Sequence, residues 1–293
     1  SKEYFHTFDG NPVDRYLLDK MVRLLSNSEQ EKNRFNKKSK EVPLMTANVL
    51  KDVFLETGLA AAFFEEEFSV LEDSLSARLE REKQFKPYSH PQLQFISSEM
   101  VWKFYAPKLK HSLEAIQQSD KVTQELFKSK IDLYLQQKKF SPSVLKDLLH
   151  CQGSQYSWIT VDSNLIYQDF YLFGYHTLED WFGKEFLEEI SKFIFDTAAF
   201  AKTQGYIVSD EESRANLLDL NNQVFREAKF SNISSAVNAT EFYNSQLQLL
   251  GLDEETLVEL WQNILLFRKY FEDVGGGVFD SSFCYQKFFD YAS

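Results

Sequence analysis

The chain has 293 residues, 43% of them hydrophobic and 26% charged, which allows one large domain or two ordinary ones and a sizeable core. Its net charge of −12 opposes binding to nucleic acid, because a phosphate backbone is read by lysine and arginine. It holds no run of about 18 apolar residues, so no transmembrane segment is expected.

Aromatic residues reach 16%, with 28 Phe and 14 Tyr, while Gly (10) and Pro (6) are scarce. Few breakers and many helix formers predict a mainly α protein with at most short edge strands. Two helical units are expected, 1–150 and 151–293.

In chain order, "TFDGNPV" (7–13) is a candidate short edge strand leading into a first helix. "NKKSK" (36–40) reads as a solvated loop. Thr46 is placed to cap a helix, with Met45 stapled to Leu50. Residues 46–84 then read as one very long helix, or as two with a bend near Gly58. After Pro87, Pro91 and Pro107, another helical stretch spans about 108–138. Ser141 and Pro142 supply a cap and a first-turn proline. "YSWITVD" (156–162) is a second candidate edge strand. Thr177 and Asp253 are placed as further helix caps, each followed by acids suited to a helix amino terminus.

Two helices carry clear apolar stripes. One bears Phe186, Leu187, Ile190, Phe193, Ile194, Thr197, Ala198 and Ala201, a stripe wide enough for contacts on more than one side. The other bears Leu257, Leu260, Trp261, Ile264, Leu265, Arg268 and Phe271, and "VGGGV" (274–278) stops it. Between 201 and 213 the sequence reads "AKTQGYIVSDEES". Gly205 is suited to the left-handed closure of a helix. Ser209 and Glu212 have the spacing of a capping box, and Tyr206 or Ile207 is placed to fold onto the preceding turn.

Catalytic and metal signatures are missing. The chain has no phosphate-binding glycine loop, no His-Glu-x-x-His, no pair of Glu-x-x-His motifs and no Gly-x-Ser-x-Gly elbow. "HSLE" (111–114) and "DLLH" (147–150) each bring one acid and one histidine together, short of a metal site. No cofactor, metal or enzymatic activity is expected. Cys151 and Cys284 read most simply as buried thiols.

Aromatic clusters remain as candidates for function: Phe63, Phe64 and Phe68 in "FFEEEF", Trp102, Phe104 and Tyr105 in "VWKFY", the run "FYLFGY" (170–175), and Trp181 and Phe182 in "DWFGKEF". Each ring alone reads as core. Together they exceed what one thin core needs, and large exposed apolar patches mark binding surfaces.

Several segments resemble the SurA-like extracytoplasmic chaperones and foldases. "FIFDTAAFAKTQGYIVSDEESRANL" (193–217) is similar to that family's long helix, glycine stop and acidic restart. "LGLDEETLVELWQNILLFRKYFEDV" (250–274), "VFDSSFCYQKFFDYAS" (278–293) and "FDGNPVDRYLLDKMVRLL" (8–25) fall in matching order. The resemblance implies an ATP-independent periplasmic chaperone, its leader removed, that holds unfolded secreted or outer-membrane polypeptides on the rings just named. It makes 151–293 the chaperone-type unit and 1–150 a divergent copy. The family's parvulin-type isomerase domain has no counterpart here, so isomerase activity is not expected. The alternative is a helical scaffold or adaptor that binds one specific partner in an envelope or secretion assembly.

Overall fold

The structure, a computed structural model, describes residues 3–7, 9–26, 44–46, 49–85, 107–137, 150–151, 154–155, 171–230, 232 and 234–275. The protein is mainly helical, and a two-stranded antiparallel sheet is the one sheet among the described residues. The segments 36–40, 141–142 and 156–162 lie outside them.

The chain groups into two units that interleave in sequence. One comprises Ser1–Glu29, Val42–Phe68 and Phe182–Ser293; the other comprises Gln30–Glu41 and Ser69–Trp181. The sequence reading of two consecutive stretches does not anticipate this interleaving, because it rests on the order of motifs and not on which faces pack.

The first unit opens with a hairpin. Strand β1 (Glu3–His6) pairs with β2 (Pro12–Asp14), Phe5 opposite Val13. Thr7 and residues 9–11, expected as strand, lie in the turn instead. Gly10 sits at φ +81°, its N–H donates to the Thr7 carbonyl at 2.9 Å, and the Asn11 amide donates to the Asp9 carboxylate at 2.9 Å. Asp14 then accepts from the Leu17 N–H at 2.7 Å and caps helix α1 (Arg15–Ser26).

The expected long helix over 46–84 is broken twice. A π-helical turn at Lys51–Leu55 leads to Gly58 at φ +79°. From that left-handed residue start α2 (Leu59–Glu66) and then α3 (Phe68–Gln84). The bend near Gly58 therefore exists, and only glycine adopts that φ without steric cost. Thr46 is fully buried, and the Met45 N–H donates to the Gln246 side chain at 2.9 Å, so this entry is tied to a distant helix.

Helix α6 (Leu178–Phe182) is followed by α7 (Lys184–Thr203), α8 (Asp210–Phe230), α9 (Ala239–Leu250) and α10 (Glu254–Gly275). The α7 stripe is buried throughout, as its width predicts, and α7 packs against both α1 and α10. On α10, Val258, Leu266, Phe267 and Tyr270 are buried beside the predicted stripe. A single 3.6-residue face undercounts a helix enclosed on several sides.

Phenylalanines account for much of this core. Their rings form a chain: Phe182 to Phe186 (5.3 Å between centroids), Phe186 to Phe63 (6.3 Å), Phe63 to Phe193 (5.8 Å), and Phe193 to Phe267 (5.5 Å), with Phe54 stacked on Phe267 at 5.4 Å. Tilted and edge-on contacts of this kind contribute beyond area burial.

In the second unit the predicted stretch 108–138 is a helical pair, α4 (Pro107–Gln117) and α5 (Gln124–Gln137), whose faces pack together. Thr123 accepts from the Leu126 N–H at 3.1 Å and restarts the chain. A second aromatic cluster gathers here, with Tyr134, Tyr175 and Phe173 all within 5.6 Å of Trp181.

Candidate functional site

Of the residues expected to bind clients, those that the structure describes are mostly interior. Phe63, Phe64, Trp181 and Phe182 are buried, and Phe68 is half-buried with its ring edge-on to Phe64 at 5.3 Å. Of "FYLFGY", Leu172, Phe173 and Tyr175 are buried. Trp102, Phe104 and Tyr105 lie outside the described residues. Rings that satisfy one another inside a core are withdrawn from the surface, so the aromatic surplus builds two cores where a binding patch was expected. Cys151, expected buried, is exposed.

The predicted caps place several functional-looking polar residues in structural roles. Gly205 sits at φ +90°, its N–H donates to the Lys202 carbonyl at 3.1 Å, and the Tyr206 N–H donates to Ala201 at 3.1 Å, closing α7 in a Schellman turn. Ser209 Oγ accepts from the Glu212 N–H at 3.0 Å. Only half of the expected capping box forms, because the Glu212 carboxylate turns to Lys269 Nζ at 2.6 Å. Lys269 also donates to the Ile207 carbonyl at 3.3 Å, and Tyr206 Oη donates to Asp273 at 2.6 Å. That hydrogen bond holds the exposed Tyr206 phenol above its ordinary range. Val208 is buried with Ala198 and Leu266, whereas Ile207 points outward, 77% exposed.

Thr177 and Asp180 cap reciprocally. Thr177 Oγ1 accepts from the Asp180 N–H at 3.0 Å, and Asp180 Oδ2 accepts from the N–H groups of Thr177 and His176 at 3.1 and 2.9 Å. Asp253 Oδ1 accepts from the Thr256 N–H at 2.8 Å, which holds its carboxyl below the usual range.

The second unit holds a buried ion pair between Glu82 and Lys130. Burial pushes the Lys130 amine down, and the Glu82 charge opposes that shift. Lys130 Nζ lies 5.8 Å from the Tyr175 ring, and the Arg81 guanidinium lies 5.3 Å from it. Burial pushes the Tyr175 phenol up, with the Glu82 charge adding to it. Arg78 donates to the carbonyls of Asp180 (2.8 Å) and Glu179 (3.0 Å), and Arg81 donates to that of Phe173 (3.1 Å). These cations satisfy backbone oxygens of 173–180. The arrangement fixes a segment of the second unit. Among the described residues no group of three or more His, Cys, Asp or Glu is placed to hold a metal ion.

Large apolar groups are exposed instead at the α8–α9 turn. Phe230 is 95% exposed and Val237 is 75% exposed. The turn that carries them is fastened. Asn232 takes φ +55° and its N–H donates to Lys229 at 3.0 Å. Asn238 Oδ1 accepts from the Glu241 N–H at 2.8 Å, while Glu241 accepts from the Val237 N–H at 2.9 Å. Beneath it Ala228, Ala236 and Phe242 form a buried cluster flanked by Val224 and Phe225. Arg226, Glu227 and Lys229, which precede Phe230 on α8, are exposed, and Lys229 Nζ lies 5.5 Å from the Phe225 ring. In the sequence Phe230 stands alone, outside any dense aromatic run.

Fold and surfaces together define a mainly helical, two-unit protein with no helix among the described residues long and apolar enough to cross a membrane. Residues 6–293 match the family described as "Conserved hypothetical protein CHP03076, glycine cleavage", and the chain belongs to that family. No curated protein and no solved structure matches it. The family match overturns the resemblance to SurA-like chaperones and with it the chaperone and parvulin connections. Two of the segments that carried that resemblance, 193–217 and 250–274, are capped helix ends: a glycine stop, a serine or aspartate restart and acids in the first turn, while 278–293 lies outside the described residues. Such features follow from helix termini in general and mark no single family.

Proposed function

We propose that the protein is a helical adaptor that binds one specific protein partner, and that the partner works in the glycine-cleavage chemistry of the family's description. The observation that carries this reading is Phe230, an aromatic ring almost wholly in water on a turn held by hydrogen bonds and backed by its own core cluster. An aromatic ring buries large area with few rotatable bonds on docking, and such residues dominate interface energies. The exposed residues before it on α8, Arg226, Glu227 and Lys229, are of mixed charge. A complementary partner presents an apolar depression with a polar rim.

Purified components of a glycine-cleavage complex, titrated singly into the full chain by calorimetry, test the reading. One component should bind, and Phe230→Asp should weaken that binding more than tenfold, as expected for an interface anchor worth about 2 kcal/mol or more. Binding by none of them, or binding indifferent to Phe230→Asp, would refute it.

A further inference from the structure

Helices α7 and α8 are nearly equal in length but are held differently. Helix α7 buries 11 of its 20 residues, whereas α8 buries four of 21: Ser213, Leu217, Asn221 and Ala228. The amino-terminal half of α8 is fixed to α10 mainly by polar contacts. Ser213 Oγ donates to the Val258 carbonyl at 2.9 Å, and Trp261 Nε1 donates to Asn216 Oδ1 at 2.8 Å. Arg214 meets Glu254 at 3.1 Å and Glu212 meets Lys269 at 2.6 Å, both in exposed pairs. Exposed pairs contribute little, and Leu217 is the sole fully buried apolar side chain of this half.

Both flanks are held more firmly. The loop before α8 is anchored by buried Val208, by Tyr206 on Asp273 and by the Gln262 amide donating to the Val208 carbonyl. The carboxy-terminal half of α8 packs its apolar Val224, Phe225 and Ala228 around Phe242 of α9. Regions held by few apolar contacts open locally at lower free energy than the core they cover.

We propose that residues 210–222 form a strap that opens from α10 between these two anchors and uncovers the Val258–Trp261 stripe of that helix. The opened strap exposes an apolar, indole-centred face. This inference does not rest on the partner proposed above.

Amide hydrogen exchange on the full chain, read by mass spectrometry, tests it. Amides of 213–222 should show protection at least about tenfold lower than those of 187–201 and 257–271. Ser213→Ala, which removes one buried pin, should speed exchange in 213–222 several-fold and leave 187–201 unchanged. Equal protection in the three helices overturns the proposal. So does a Ser213→Ala variant that leaves 213–222 unchanged or speeds all three helices alike.

Discussion

The guanidinium of Arg23 lies against Gly251, so closely that a Cβ on Gly251 would fall 2.6 Å from Arg23 Cζ. Lys20, one turn earlier on α1, donates to the Gly251 carbonyl at 3.1 Å. Two cations thus sit at the carboxy terminus of α9, where unpaired carbonyls and the helix dipole favour positive charge. Gly251 itself closes α9 at φ +64°.

Gly251→Ala should therefore lower stability by about 1–2 kcal/mol, combining the left-handed penalty with displacement of Arg23. Gly205 offers the control, because it also has positive φ but nothing lies within 4 Å of its missing Cβ. Gly205→Ala should cost less, and Arg23→Ala should erase the difference between the two sites. Equal costs in the wild-type background, measured by urea denaturation, would show that the Arg23 contact contributes nothing.

Ser209 and Glu212 separate a cap from an ion pair. Ser209→Ala removes the acceptor for a helix N–H and should cost about 1 kcal/mol. Glu212→Gln removes an exposed pair with Lys269 and should cost only a few tenths. The reverse ranking in denaturation midpoints would contradict the cap assignment.

Phe63 and Phe230 make a second contrast. Phe63→Ala opens a hole in the aromatic chain and should cost about 3–5 kcal/mol. Phe230→Ala should stay within about 0.5 kcal/mol, since the ring is already in water. A stable Phe63→Ala variant would return that ring to the surface role first read from its sequence.

The helix ends were the most legible part of the sequence. Thr177, Ser209, Gly205 and Asp253 act where local spacing places them, because a cap is decided within four residues. The bend at Gly58 was legible for the same reason. The split between α4 and α5 was missed, since no glycine or proline marks residues 118–123. Burial of the aromatic clusters was not legible, because "FFEEEF" looks alike whether its rings meet solvent or Phe186 and Phe193. Those partners lie over a hundred residues away, and periodicity within one helix carries no information about them.

The buried pair of Glu82 and Lys130 predicts a non-additive response. Lys130→Met leaves a carboxylate buried without its cation and should cost about 3–5 kcal/mol. The double variant Glu82→Leu with Lys130→Met should recover most of that loss, because neither charge then remains in the interior. Thermal melts followed by circular dichroism would decide it. Additive losses in the double variant would mean that the two side chains act independently.

Alkaline stability follows from the buried phenols. Burial pushes Tyr243 up to about 12, the Glu254 charge adding and Arg214 opposing, and burial pushes Tyr175 in the same direction. Tyrosine in an unfolded chain ionises near pH ~10. The folded value stands above the unfolded one, so this contribution to stability is intact below about pH 10 and is lost as the pH climbs toward 12. Across that window the unfolded chain releases protons that the folded chain retains. Tyr243→Phe should flatten the decline. At neutral pH it should leave stability unchanged or slightly higher, because the Tyr243 hydroxyl has no hydrogen-bond partner among the described residues. Parallel curves for wild type and Tyr243→Phe between about pH 10 and 12 would show that Tyr243 does not govern the decline.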